Sequence, residues 1–593
     1  MLITVPEMQA EMKVPASIPM ASTAVDSRWY DQVRAITEML VAIPTISPDA
    51  RGENKCAQVI STWLTQGTDL QPAQWPTGDG RVSVACLLRG THPANTGRTV
   101  IIMGHYDTVG VKEYQSLDPE RSGHIAFQPE RLRHLLLEKL GAKRTPNEED
   151  VWQDLNELEG ETGRPVWLFG RGSCDMKSGV AINIALMRHL WAERAQLAGN
   201  VLFLACPDEE TESVGVRTAV PELLHLRDSE QLTYLGLINT DYAAPRNQHD
   251  HGRSIYTGTI GKLLPSFYIV GVPTHVGDPF RGIDAGQIAA EIVRRINLNP
   301  NLCDRWVRED SLHAGEMHLD VGVPPISLKI RDLKSEYNVQ TASEAFVYIN
   351  WLTYTTTPAV ALATMVKEAG AALNQVIQDR NLRYQRFTNR GELPEQYTPQ
   401  VISYEELCVR VRQEQGWEQD EVAFQQLLKA LTAEIEEEMS PHLHDEERIQ
   451  AKLGYAADLR TKSRLLVSRL IHYAKLQGPA VVVFFSPPYY PHVRPEQNEL
   501  TAVLRENVRH RRQNHIQPEI LLQGYYPYIS DLSFVCLNDD IEAQTSALSD
   551  NMPVFNRGFS LDFASMQALN MPVLNVGPWG KDAHGLYERV HMP

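Results

Sequence analysis

Three short stretches hold residues whose types and spacing can do chemistry: Gly104-His105-Tyr106-Asp107-Thr108-Val109, Gly170-Arg171-Gly172-Ser173-Cys174-Asp175-Met176-Lys177-Ser178-Gly179 and Pro207-Asp208-Glu209-Glu210. His105 and Asp107 are two apart, so at a strand end their side chains can face the same way. A metal-bound His usually donates its other ring nitrogen to a carboxylate, a role open to Asp107. Asp175 stands in a glycine-rich loop whose backbone can turn sharply and approach a ligand. Glu209 and Glu210 follow the apolar run Val201–Cys206. Adjacent carboxylates there are costly unless something cationic compensates. Asp241, after Leu235-Gly-Leu-Ile-Asn-Thr, and His584, in Gly577-Pro-Trp-Gly-Lys-Asp-Ala-His584, complete the set.

Each member alone has a plainer reading. His-x-Asp is more often a surface pair, Asp175 a helix cap, Glu209-Glu210 a solvated acidic loop, Asp241 a loop opener and His584 a structural residue. Together they are harder to dismiss. Gathered without a counter-charge, Asp107, Asp175, Glu209, Glu210 and Asp241 would repel one another and be driven toward protonation. Two divalent cations reverse this. With Asp175 shared between them and Glu210 and Asp241 terminal, one net positive charge remains to acidify a water. Oxygen and imidazole donors without thiolate suit zinc, with manganese or cobalt as alternatives.

The elements that must position these residues are legible as apolar runs. Val82–Leu88, Thr99–Met103, Val201–Cys206 and Tyr234–Asn239 read as strands, and Gly179–Ala192 and Arg217–Leu226 as helices. This alternation predicts a mainly parallel sheet with helices on both faces. Its functional residues fall at the carboxyl ends of strands, where open α/β sheets place their sites. Between Val111 and Trp167 the alternation breaks, and Leu132–Leu140 and Glu148–Leu158 read as inserted surface helices. From about Thr257 the character changes. Lys262–Val270 and Ala345–Tyr354 read as strands, and Gly286–Asn297 and Pro358–Ile377 as helices, of an inserted α+β domain. A charged helical stretch spans Tyr404 to about Lys475, after which Ala480–Phe485, Ile520–Gln523 and Val573–Val576 resume the first domain. The expected division is 28–256 and 396–593 for a split catalytic domain, with 257–395 inserted.

Composition narrows the partners. The 593 residues are too many for one core. With 74 acidic against 56 basic residues the net charge is −18, which disfavours nucleic acid and anionic membrane. No apolar run is long enough to span a bilayer. The first 27 residues lack a basic stretch followed by an apolar one, so no secretory signal is expected and a loosely held arm is. Seven scattered cysteines with no Cys-x-x-Cys pair suit a reducing cytoplasm.

The ordered set His105/Asp107, Asp175, Glu209/Glu210, Asp241, His584 resembles the dizinc metallopeptidases that include glutamate carboxypeptidases, aminoacylases, tripeptidase T and succinyl-diaminopimelate desuccinylase. The resemblance implies one metal on His105, Asp175 and Asp241 and another on Asp175, Glu210 and His584. Glu209 would be the general base, Asp107 the residue that orients His105, and Asp175-Met176 a cis peptide. Gly271-Val-Pro-Thr-His275-Val-Gly-Asp-Pro279 resembles the family's lid segment, whose His reaches the opposite subunit's site to stabilise the oxyanion. This implies a homodimer through the lid domain. Tyr337-Asn338-Val339 resembles the lid's substrate-contacting Asn segment. Asn350 stands on the lid strand where many members carry an Arg that clamps a substrate carboxylate, and with Asn338 it is an expected substrate contact. The long inserts at 111–166 and 400–475 and the ending Asn575–His584 most resemble the family's arginine-utilisation members. The expected activity is hydrolysis of an amide or peptide bond, in a small peptide or acylated amino acid, within amino-acid or arginine catabolism. The competing expectation is a non-catalytic metal- or ligand-binding protein on the same fold.

Overall fold

A computed structural model describes residues 27–160, 162–245, 252–309, 317–389, 395–439, 458–537 and 541–592. The expected N-terminal arm lies outside them. Two sheets organise the chain. The larger has eight strands in the order Ala73–Pro76, Val82–Arg89, Asn200–Cys206, Arg98–His105, Thr233–Asn239, Val573–Asn575, Arg253–Tyr256, Ile520–Gln523. Its four central strands, Asn200–Cys206 through Val573–Asn575, run parallel. Their side chains are buried on both faces, which is why the sequence reads there as unbroken apolar runs. Helices Ser27–Val41, Ala50–Thr65 and Ser178–Ala192 contribute to the core on one face, and Val214–Ser229 covers the other. The first two strands form an antiparallel hairpin whose turn uses Gly78 and Gly80 at φ +87° and +91°, a region side chains rarely enter.

The second sheet has the order Ile326–Asp332, Glu344–Thr353, Gly261–Val270, Ala480–Tyr490, Gln400–Ser403. This corrects one expectation. The run from Ala480 does not rejoin the first sheet; it pairs antiparallel with Gly261–Val270 in the second. All eleven of its residues are buried. Val481, Val483 and Phe485 pack toward helix Pro358–Thr388, while Ala480, Val482 and Phe484 pack toward helices Tyr404–Gln415, Glu421–Met439 and Leu459–Tyr473. A strand covered on both faces carries no alternation to say which sheet it joins. The helical region after residue 400 therefore adds a layer to the second sheet, and the strand that leads into it, Gln400–Ser403, pairs parallel with Ala480–Tyr490 at that sheet's edge. A small third sheet joins Gly580–Lys581, Arg589–His591 and Trp167–Phe169. No described helix is long and apolar enough to cross a membrane.

The connection from the second sheet back to the first runs through His492, which is 5% exposed. Burial, reinforced by Arg494, lowers its imidazole to about 4 from the usual 6.5. Its unfolded form therefore takes a proton first as pH falls. Stability is intact above pH 6.5 and lost progressively toward pH 4, by about 2 kcal/mol at pH 5. Urea unfolding at pH 7 and pH 5 should show wild type losing more stability than His492→Gln across that interval. Equal losses would show that His492 does not carry this acid sensitivity.

Candidate active site

The parallel centre of the large sheet delivers its strand ends to one edge. His105 closes its strand in register with Cys206, after which the chain turns into Pro207-Asp208-Glu209-Glu210. Asp107, fully buried, spans the two loops. Its Oδ1 accepts the Glu209 N–H at 3.1 Å and its Oδ2 the Glu210 N–H at 3.1 Å. Its Oδ1 also stands 3.4 Å from His105 Nδ1. Asp107 thus shapes the Glu-Glu backbone as well as facing the imidazole.

Asp175 sits between two imidazoles. Its Oδ1 is 3.0 Å from His105 Nε2 and its Oδ2 is 3.2 Å from His584 Nε2. His584 Nε2 is also 3.0 Å from Glu210 Oε2. Ligand atoms of His105, Asp175 and Glu210 all lie within 4.8 Å of one another, a spacing that suits a divalent ion. The Asp175–Met176 peptide bond is cis, as the resemblance implies. Glu209 Oε2 lies 3.9 Å from His105 Nε2, with its side chain 11% exposed. Asp241 is buried and takes the Tyr242 N–H at 2.8 Å. It lies in the electrostatic field of Asp175, His105 and Glu210. The chain on its way to His584 passes so close that a Cβ at Gly577 would sit 1.9 Å from the Asp241 carbonyl oxygen, so only glycine fits there.

The electrostatics show what this arrangement needs. Burial, with Asp175 as the next cause, pushes the Asp241 carboxyl well above its usual range and raises Glu210. Burial also raises Glu209, where His105 pulls down and Asp531, Glu210 and Asp241 push up. Burial opposes charge on His105, but hydrogen bonds to Asp107 and Asp175 and the charge of Glu209 outweigh it, so its imidazole is raised well above 6.5. Asp175 and Glu210 hold His584 up to about 11. Without an ion, protonated imidazoles would be the counter-cations to the carboxylates. Divalent ions would fill the same role and leave both rings neutral as ligands.

The lid residues stand elsewhere in the chain. His275 is exposed, and its Nδ1 accepts from Gly277 N–H at 3.0 Å. Its segment pairs with the one carrying Asn338, through Val276 N–H to Val339 O at 2.9 Å. Asn350 lies opposite Ile326 on the second sheet. Among the described residues, none of these three shares a hydrogen bond or ion pair with the carboxylate cluster.

Several residues that build the site escaped the sequence reading. Arg81, 5% exposed, reaches Asp208 Oδ1 at 2.5 Å and Glu53 Oε1 at 3.2 Å. Asp208 in turn accepts the Val214 N–H at 3.1 Å, so this ion-paired group supports the Glu209 loop from behind. Arg171 and Glu588, both essentially buried, form a second ion pair. Glu588 Oε1 accepts the backbone N–H groups of Cys174 and Asp175 at 3.2 and 3.3 Å, which fixes the Asp175 loop. Asp531, also buried, adds a carboxyl that burial raises to about 7. Arg171 lies in the glycine-rich stretch that carries Asp175 and Glu588 four residues past His584, but nothing local distinguishes them from surface charges. Arg81 has no local signal at all.

The profile of Peptidase family M20/M25/M40 matches residues 145–592. Protein RocB of Bacillus subtilis (strain 168) is 30% identical over 578 residues, which span 95% of this chain and 92% of RocB. The uncharacterized protein YqjN of the same organism is 30% identical over 520 residues, 87% of this chain and 84% of its own. Among solved structures, a tripeptidase from Staphylococcus aureus subsp. aureus Mu50 aligns at a TM-score of 0.45 and 13% identity, covering 95% of this chain and 94% of that one.

Proposed function

The chain belongs to Peptidase family M20/M25/M40, a hydrolase of peptide or amide bonds, and on that premise we propose that its carboxylate cluster is a two-ion hydrolytic centre. The observation that carries the reading is Asp175, set with one oxygen toward each of two imidazoles. In this reading His105, Asp175 and Asp241 hold one divalent ion, and Asp175, Glu210 and His584 hold the other. Zinc is favoured by the oxygen and imidazole donors, with manganese or cobalt as alternatives. Bound there, two such ions would polarise the scissile carbonyl and acidify a water.

Glu209 is free of ligand duty in this scheme and stands beside the centre. It takes the proton of the attacking water as the new carbon–oxygen bond forms, then delivers that proton to the nitrogen as the carbon–nitrogen bond breaks. The products are a carboxylate and an amine. Asp107 keeps His105 oriented and holds the Glu209 backbone in place.

The substrate is a small peptide or acylated amino acid. An arginine-related one, in amino-acid catabolism, is supported by the resemblance of the chain's ending to arginine-utilisation members. A homodimer through the second sheet is supported by its edge strand Ile326–Asp332, where Ile326, Leu328 and Ile330 are exposed. Such a row of apolar side chains on an open edge invites pairing. Exposed His275 would then reach the partner's site to stabilise the oxyanion, with Asn338 and Asn350 near substrate. A cytoplasmic location is supported by seven free cysteines, six of them buried.

One preparation tests this reading. Chelated protein reconstituted with zinc, manganese or cobalt is screened on acylated amino acids and dipeptides, and its mass is measured by light scattering. Two ions per chain, metal-dependent turnover and a two-chain mass are expected. Full occupancy without turnover across the panel would favour a binding protein instead.

A further inference from the structure

The segment 111–166 encloses the loop that carries His584. His584 needs such support. It adopts φ +63°, a strained conformation for a side-chain-bearing residue, and its side chain is 50% exposed. Its loop runs between the short strands Gly580–Lys581 and Arg589–His591. From the segment, Tyr114 donates its hydroxyl proton to the Gly585 carbonyl at 3.0 Å. Helix Glu149–Asn156 grips both ends of the loop. Asp150 and Asp154 take Lys581 at 3.0 and 2.8 Å and Arg589 at 2.8 and 2.6 Å. Arg589 is fully buried, a position a guanidinium keeps only when paired. Between these ends, Leu586 and Tyr587 pack on the segment's own apolar cluster of Leu132, Leu136 and Val151.

Arg171 links this enclosure to the other ligand loops. One guanidinium donates to the His584 carbonyl at 3.1 Å and to the Gly110 carbonyl, just past Asp107, at 3.2 Å. It also pairs with Glu113 at the start of the segment and with Glu588 behind Asp175.

We propose that segment 111–166 is a clamp on the His584 loop, and that it sets the affinity for the ion held by Asp175, Glu210 and His584. The inference rests on the two-ion reading. The clamp touches the loop rather than the ion, so it acts as outer-shell support, whose loss typically costs about 10–100-fold in metal affinity. Its effect falls first on that ion, because Tyr114, Asp150 and Asp154 bind residues of the His584 loop and, among the described residues, none of them bonds His105 or Asp241.

Zinc-loaded wild type, Tyr114→Phe and Asp150→Asn are compared for metal content after dialysis and for the rate of zinc loss to a chromogenic chelator. Tyr114→Phe removes a single hydroxyl and keeps the ring, so it tests the clamp even if the helix variant folds poorly. The expected result is one ion lost about 10–100-fold more readily in each variant, with the second ion unchanged. A core variant in the second sheet, Val483→Ala, should keep both ions at a comparable drop in melting temperature. Wild-type retention of both ions in Tyr114→Phe and Asp150→Asn would overturn the clamp alone. A wild type that takes up no zinc would overturn the two-ion reading and the clamp with it.

Discussion

Glu209→Gln is expected to retain two metal ions per chain and to lose about 1000-fold or more of kcat on any amide substrate the wild type hydrolyses. The size follows from the role. General acid–base groups contribute roughly 100–10,000-fold, and a residue that serves as both base and acid has two proton transfers to lose. Retention of metal follows from geometry. The fold of the loop depends on backbone N–H groups of Glu209 and Glu210 held by Asp107, and on Asp208 held by Arg81. None of these contacts uses the Glu209 side chain. Glutamine fills the same volume without a carboxylate to accept a proton. The loss should therefore appear in kcat, with KM little changed, the pattern of an interaction made only in the transition state. Steady-state kinetics beside metal analysis on the same sample checks both halves. Near-normal turnover would remove Glu209 from the proton-transfer role, and loss of metal would place it among the ligands.

The parts of this centre that sequence made legible share one property: each is announced by its own neighbours. His105 and Glu209 stand where apolar runs end, and those runs are strands because their residues are buried on both faces. Asp175 is marked by the glycines around it. The parts that were hidden depend on partners far along the chain. Arg171 meets Glu588 across 417 positions, and Arg81 meets Asp208 across 127. In each pair, a charged residue in a loop or at a strand start looks solvated until the fold buries it beside its opposite. The run Ala480–Phe485 joins a different sheet from the expected one for a related reason. Its composition reports burial on both faces, whereas its pairing with Gly261–Val270 is a fact about topology. The lid residues form a third class. His275 and Asn338 are exposed in the single chain, and the part proposed for them in the chemistry would depend on a second chain.

Asp175→Asn should have the broadest effect on metal, removing both ions and bringing turnover below detection. Asp175 is the residue whose two oxygens face both imidazoles, at 3.0 and 3.2 Å. An amide offers one neutral oxygen where the carboxylate offers two charged ones. In the proposed ligand set, Asp175, Glu210 and Asp241 oppose two divalent cations, leaving one net positive charge. Without Asp175 that excess doubles in a buried site where charge is poorly screened, and the two ions lose the bridge between them. His584→Ala is the instructive contrast. It strips a ligand from one ion only and leaves His105, Asp175 and Asp241 to hold the other, so about one ion per chain should survive dialysis. Metal analysis of the two variants beside wild type is expected to read near zero, one and two. Two ions in Asp175→Asn would show that Asp175 is not shared between them, and the hydrolytic centre would have to be rebuilt around other residues.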